Sequence, residues 1–213
     1  MSLNAELQAT REAFVASTPV QVHSVLFQII EDLQKSGLAS GLEVGSTARD
    51  FLLTDALGTQ VRLSDEWKKG PVILQFYRGS WCPYCNMQLL AYQKILPDIH
   101  RLGAQLIAIS PQSPDNTLSQ QEKLELRFHV LSDTRGIVAS KFNLLYDVPD
   151  YLIEMYKQFP LDLAEYNASD RWILPVPATI MIDEQGIVRY SYVNPDFTVR
   201  LEPSELLYQL ESL

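Results

Sequence analysis

The chain has 213 residues, 46% hydrophobic and 20% charged, with 26 acidic residues against 17 basic ones and a net charge of −9. Such a composition builds a globular core without help from a disulfide or a metal. The acidic balance, with no Lys/Arg cluster to offset it, speaks against nucleic acid or an anionic membrane as partner. The N-terminal stretch lacks a basic flank followed by an apolar run, and no segment reaches the ~20 apolar residues that span a bilayer. The two cysteines lie too close in sequence for a long-range disulfide framework, so the expected setting is reducing and cytoplasmic.

Two helical patterns come first. Leu3, Leu7 and Phe14 share one face, and after Thr18-Pro19 the residues Val22, Val25, Leu26, Ile29, Ile30 and Leu33 share another. The glycines from Gly37 to Gly45 suit a C-cap and linker, which makes residues 1–44 an N-terminal helical extension and 45–213 the main domain. A short hairpin is expected over 51–63, turning near Gly58. Val72 to Tyr77 is a β-branched, near-continuous apolar run, as in a strand buried on both faces. A helix from Pro83 to about Arg101 follows, then a strand over 105–110, a helix from Ser113-Pro114 to near Arg127, a strand at 129–133 and a helix over 134–143. The segment 148–173, with Tyr151, Tyr156, Phe159, Tyr166 and Trp172, reads as an insertion packed over the core, with a homodimer contact or an active-site lid as the alternatives. A strand at 178–183, a turn at Gly186, its antiparallel partner to Val193 and a helix from about Pro203 complete the chain. The alternation gives an α/β fold with a central mixed β-sheet flanked by helices.

Between the first buried strand and its helix stands Trp81-Cys82-Pro83-Tyr84-Cys85. The first turn of a helix leaves N–H groups without partners and carries about half a positive charge, which stabilises a thiolate placed there. Pro83 suits the first helical position, so Cys82 falls at the cap, where it is expected to be exposed and ionised. Two intervening residues let Cys85 close a disulfide with it, and Arg78 adds positive charge nearby. The three histidines, His23, His100 and His129, have no metal-ligand spacing, so neither a metal nor any other cofactor is expected. His129 reads as structural. The reading requires a thiol that ionises more readily than a free one and that solvent can reach.

These residues resemble a known superfamily. Trp-Cys-x-x-Cys followed by Val176-Pro177-Ala178-Thr179 is similar to thioredoxin-like oxidoreductases, in which Pro177 would be a cis-proline facing the cysteines and offering a backbone edge to substrate. Gly45 to Leu53, Leu63-Ser64-Asp65, Phe76-Tyr77, Leu131-Ser132-Asp133 and Ile180 to Gly186 resemble the alkyl hydroperoxide reductase/thiol-specific antioxidant (peroxiredoxin-like) family, over about residues 45–193. The resemblance implies a thioredoxin-like fold and reduction of hydroperoxides through a Cys82/Cys85 dithiol–disulfide cycle. Thioredoxin, a glutaredoxin-type protein or glutathione would be the reductant.

The chain departs from that pattern at its hallmark positions. Cys85 aligns with the peroxidatic cysteine, Cys82 with the family's threonine, and Pro177 with the arginine that activates the peroxide. Arg78 and Arg135 are the arginines that could stand in. Phe76 replaces the buried acid of thioredoxins. The alternatives are thiol–disulfide exchange, with Cys82 attacking and Cys85 resolving, and a non-enzymatic redox sensor. Trp81, Pro177 and Arg78 are the expected substrate-positioning residues, with Trp81 and Tyr84 as an apolar rim.

Overall fold

The computed structural model describes residues 2–159 and 161–213; residue 160, within the expected insertion, and residue 1 lie outside it. Helix α1 (Leu3–Ser17) opens on Ser2, whose hydroxyl accepts the Ala5 N–H, and α2 (Val20–Ser36) closes on Gly37 in the left-handed conformation at φ 66°. The hairpin β1 (Leu52–Thr54) and β2 (Gln60–Arg62) leads into the single turn α3 (Leu63–Glu66). Then come β3 (Val72–Phe76), α4 (Pro83–Lys94), α5 (Leu96–Arg101), β4 (Gln105–Ser110), α6 (Pro114–Lys123), β5 (His129–Ser132) and α7 (Ile137–Lys141). The insertion holds α8 (Asp150–Tyr156) and α9 (Leu163–Tyr166), framed by the antiparallel pair β6 (Leu145–Asp147) and β7 (Ile173–Pro175). Strands β8 (Ala178–Ile182) and β9 (Val188–Val193) and helix α10 (Pro203–Glu211) end the chain.

Five strands form one mixed sheet in the order β5-β4-β3-β8-β9. Central β3 runs parallel to β4 and antiparallel to β8, so Phe76 lies between Ile109 and Ala178. Its alternation feeds two cores. Val72, Leu74 and Phe76 face one with Phe51, Val61, Phe142 and Ile180, while Ile73 and Tyr77 face the other with the helices and both cysteines. This is the expected central mixed sheet flanked by helices, with helical segments before it.

Where the helix boundaries differ from the sequence reading, local causes are visible. The helix expected over 83–101 is two helices. Pro97 has no N–H to offer the preceding turn, and Ile95 leaves the helical region at φ −97°, ψ 4°. The helix after Ser113 stops at Lys123, before Glu125 turns to φ 51°. The one expected over 134–143 is confined to Ile137–Lys141, because Gly136 takes φ 66° as its N-cap.

The first two helices are built into the core. Leu3, Leu7, Ile29, Ile30 and Leu33 are buried in the cluster that holds Cys82 and Cys85. Glu202 caps the start of α1 by accepting the Leu3 and Asn4 N–H groups at 3.0 and 2.7 Å, a favourable place for a carboxylate. Arg11 pairs with Asp196 at 2.9 Å, and the Tyr151 hydroxyl donates to Asp32 at 2.6 Å. Among the described residues, no helix is long and apolar enough to cross a membrane.

Candidate active site

Strand β3 delivers the chain to a loop, residues 77–81, that is held by side-chain amides. Gln112 accepts the Ser80 N–H at 2.9 Å, Asn86 donates to the Ser80 carbonyl at 2.7 Å, and Gln120 donates back to Asn86 at 2.7 Å. Gly79 sits at φ 148°, and a Cβ there would lie 2.5 Å from the Trp81 indole nitrogen, so only glycine lets that ring fold back over the loop. Cys82 then caps α4 at φ −92°, ψ 110°, and Pro83 opens the helix, as its sequence predicts.

Burial departs from the expectation and from the solvent access that the reading requires, since neither sulfur is open to solvent and only Cys82 lines a cavity; ionisation departs from the expectation too. Cys82 is 1% exposed and Cys85 fully buried, and both are free thiols. Burial raises the Cys82 pKa first, and its hydrogen bond to Cys85 and the charge on that sulfur raise it further. Burial also works against ionising Cys85. There the Cys82 hydrogen bond, the charges of Arg200 and Arg78 and the Arg78 backbone N–H outweigh it and bring the pKa down to about 5. This balance favours the thiolate on Cys85, one helical step inside, over Cys82 at the buried cap position.

Those two arginines have no carboxylate partner among the described residues. Arg200 is 2% exposed, donates to the Phe197 and Val199 carbonyls at 2.5 and 2.8 Å, and places Nη2 3.4 Å from the Cys85 sulfur. Arg78, also 2% exposed, lies 4.1 Å from the centre of the Phe197 ring and 4.8 Å from that of Trp81, and bonds the Tyr156 hydroxyl. Burial opposes its charge, yet the surrounding tyrosines and sulfurs hold it above its ordinary pKa. Arg135 is elsewhere, beside Phe51, Leu53 and Ile137, and does not join the site.

The insertion forms the roof. Tyr156 packs edge-on against Trp81 at 5.7 Å, and the Tyr166 hydroxyl bonds Ser80 Oγ; Tyr156 is buried in the core cluster, with Tyr151 and Trp172 packed against it, as the expected insertion over the core. A cavity of about 200 Å3 lies beneath, lined by Thr10, Phe14, Leu26, Phe27, Cys82 and Tyr84 among others. Trp81 and Tyr84 thus form an apolar rim, closed by α1 and α2 as well.

Pro177 is buried, and no peptide bond among the described residues is cis. Its carbonyl accepts the Asn194 N–H at 3.5 Å, so the edge expected to meet a substrate is engaged within the protein, and Pro177 is not on the cavity wall. In the place of the thioredoxin-type acid, polar groups near β3 are amides and hydroxyls. Gln75 bonds Gln88 at 3.0 Å and accepts from Thr179 at 2.7 Å, and Tyr92 donates to the Leu201 carbonyl at 3.1 Å. His129 stands 4.0 Å from Asp55, on β5, away from the sulfurs. No cluster that could hold a metal ion occurs among the described residues. Arg200 is the residue the sequence reading missed; it lies 115 positions from Cys85, and nothing in its local sequence marks it.

The AhpC/TSA family model matches residues 44–191. Among curated proteins, the thiol-disulfide oxidoreductase ResA of Geobacillus kaustophilus is 32% identical over 151 residues, 70% of this chain and 69% of that protein. The chloroplastic peroxiredoxin Q of Sedum lineare is 28% identical over 181 residues, 85% of this chain and 84% of that protein. Among solved structures, peroxidoxin BcpB of Mycobacterium tuberculosis superposes with a TM-score of 0.64 at 22% identity, over 81% of this chain and 98% of that one. The chain therefore belongs to the AhpC/TSA family and is a thiol-dependent oxidoreductase of the peroxiredoxin-like kind on a thioredoxin-like fold.

Proposed function

We propose that this protein reduces hydroperoxides with Cys85 as the attacking thiolate and Cys82 as the resolving thiol. One observation carries the assignment: Cys85, with its pKa brought down to about 5, faces Arg200 at 3.4 Å while Cys82 keeps its proton. The Cys85 thiolate attacks the distal peroxide oxygen, the O–O bond breaks, and the leaving alkoxide or hydroxide takes a proton to become alcohol or water. Cys85 is then a sulfenic acid. Cys82 condenses with it, a disulfide forms and water leaves; two thiol electrons from a reductant restore the pair. Arg200 and Arg78 supply the positive charge that the family's arginine would give at Pro177. A reducing compartment such as the cytoplasm suits this cycle.

The resemblance to ResA and the position of Cys82 on the cavity wall favour a second reading, disulfide reduction with Cys82 as attacker. Peroxide consumption and disulfide reduction by the Cys82→Ser and Cys85→Ser variants separate the two. A single peroxide turnover that survives loss of Cys82 and vanishes with Cys85 supports the peroxidase. Disulfide reduction lost with Cys82, and no peroxide turnover in the parent, supports the second reading and sinks the first.

A further inference from the structure

The cavity over the dithiol is asymmetric: Cys82 is on its lining and Cys85 is not. Thr10 and Phe14 of α1 and Leu26 and Phe27 of α2 supply a large part of the wall, and both helices lie outside the matched segment 44–191. Once the pair is a disulfide, a reducing thiolate must strike one sulfur and expel the other. The sulfur with the lower pKa leaves faster. Cys85 is the one its surroundings favour as thiolate, with Arg200 beside it, and Cys82 is the one the cavity reaches.

We infer that this cavity is the reductant site, and that it takes a small thiol with an apolar, uncharged body, which attacks Cys82. The inference rests on the dithiol–disulfide cycle proposed above. The incoming thiolate forms a bond to the Cys82 sulfur as the Cys82–Cys85 bond breaks, and that electron pair passes to Cys85, which becomes the thiolate. A second thiol, on the same molecule when the reductant is a dithiol, attacks the ligand sulfur of the mixed disulfide. Cys82 leaves with its electron pair and takes up a proton, and the ligand departs as its own disulfide, two electrons poorer.

The occupant follows from the walls. Aromatic side chains dominate, and the one charged lining residue, Arg78, is stacked between Trp81 and Phe197. A zwitterionic peptide thiol would have to shed the water around two carboxylates and an ammonium group against those surfaces. About 200 Å3 holds one small molecule and not a segment of a protein reductant.

The test uses the full chain converted to its disulfide with diamide, so that it does not depend on peroxide turnover. Stopped-flow tryptophan fluorescence then gives second-order rate constants for dihydrolipoamide, glutathione and thioredoxin, each normalised to its thiolate concentration. Dihydrolipoamide is expected to outrun glutathione by at least about tenfold. That ratio should fall severalfold in Phe14→Gln and in Phe27→Gln and return in Phe14→Leu. Oxidised lipoamide added to the Cys85→Ser chain should leave its adduct on Cys82 by mass spectrometry. Glutathione or thioredoxin matching dihydrolipoamide, a ratio indifferent to all three substitutions, or no adduct on Cys82 would overturn the inference. So would phenylalanine variants that alter oxidation by cumene hydroperoxide but leave the ratio intact, since the cavity would then belong to the oxidant. Absence of peroxide oxidation in the parent chain, with the thiol selectivity present, tells against the peroxidase reading and not against this one.

Discussion

Arg200 Nη2 stands 3.4 Å from the Cys85 sulfur, with 115 positions of chain between them and no carboxylate to divide the attraction among the described residues. Replacing it by methionine keeps much of the volume and removes the charge. The pH midpoint for alkylation of Cys85 should then rise by roughly 1–3 pH units, and single-turnover peroxide reduction should slow by about 10²-fold. Arg200→Lys should recover part of both. A midpoint unchanged in the methionine variant would remove Arg200 from the site's chemistry.

Titration of the parent protein has a definite sign. With its pKa brought down to about 5, Cys85 is ionised across neutral pH, so its alkylation by iodoacetamide should already be level by about pH 6.5, whereas a free thiol gains reactivity up to pH ~9. In the Cys82→Ser variant the low-pH reactivity should be retained, and in Cys85→Ser it should be lost. Stability follows the same linkage. A folded-state pKa depressed below the unfolded value contributes fully above the unfolded pKa and is lost as pH falls toward the folded one. The Tm advantage of the reduced parent over Cys85→Ser should therefore grow between about pH 5 and pH 9. A shrinking advantage over that range would contradict the assignment.

Local chemistry made the frame readable and long-range chemistry did not. The β-branched run at Val72–Phe76, the Gly37 cap and the Cys82-Pro83 junction each follow from neighbours in sequence. The break at Ile95 was readable too, since Pro97 marks it, but the apolar spacing continues across it. Burial of the thiols was not readable. The covering residues Phe14, Phe27 and Tyr156 come from segments on both sides of the motif, and helix-end electrostatics alone points to Cys82. The balance tips toward Cys85 through its hydrogen bond from Cys82 and through Arg200, which the segment after β9 brings up from far along the chain.

Tyr156 is the hinge of the roof, bonded to Arg78 and set edge-on against Trp81. Tyr156→Phe keeps the ring and strips the hydroxyl, leaving a buried guanidinium one partner short. Urea unfolding should register a loss of about 1–3 kcal/mol. Trp81 fluorescence should also become easier to quench with acrylamide in the folded protein. Equal stability and equal quenching would mean that the hydroxyl does not hold the roof.

The first helix offers the sharpest test of whether residues before the matched segment belong to the working core. Leu7 is fully buried and joins the cluster that contains both cysteines. Leu7→Ala removes three heavy atoms from a close-packed site and should cost about 2–5 kcal/mol. If α1 folds as one body with the sheet, far-ultraviolet dichroism and tryptophan fluorescence should report the same, lowered Tm in a single transition. An early melt of helical signal with the fluorescence transition unmoved would make α1 a detachable arm. Because α1 carries Thr10 and Phe14 of the cavity wall, that outcome would also leave the dithiol uncovered whenever the arm opened.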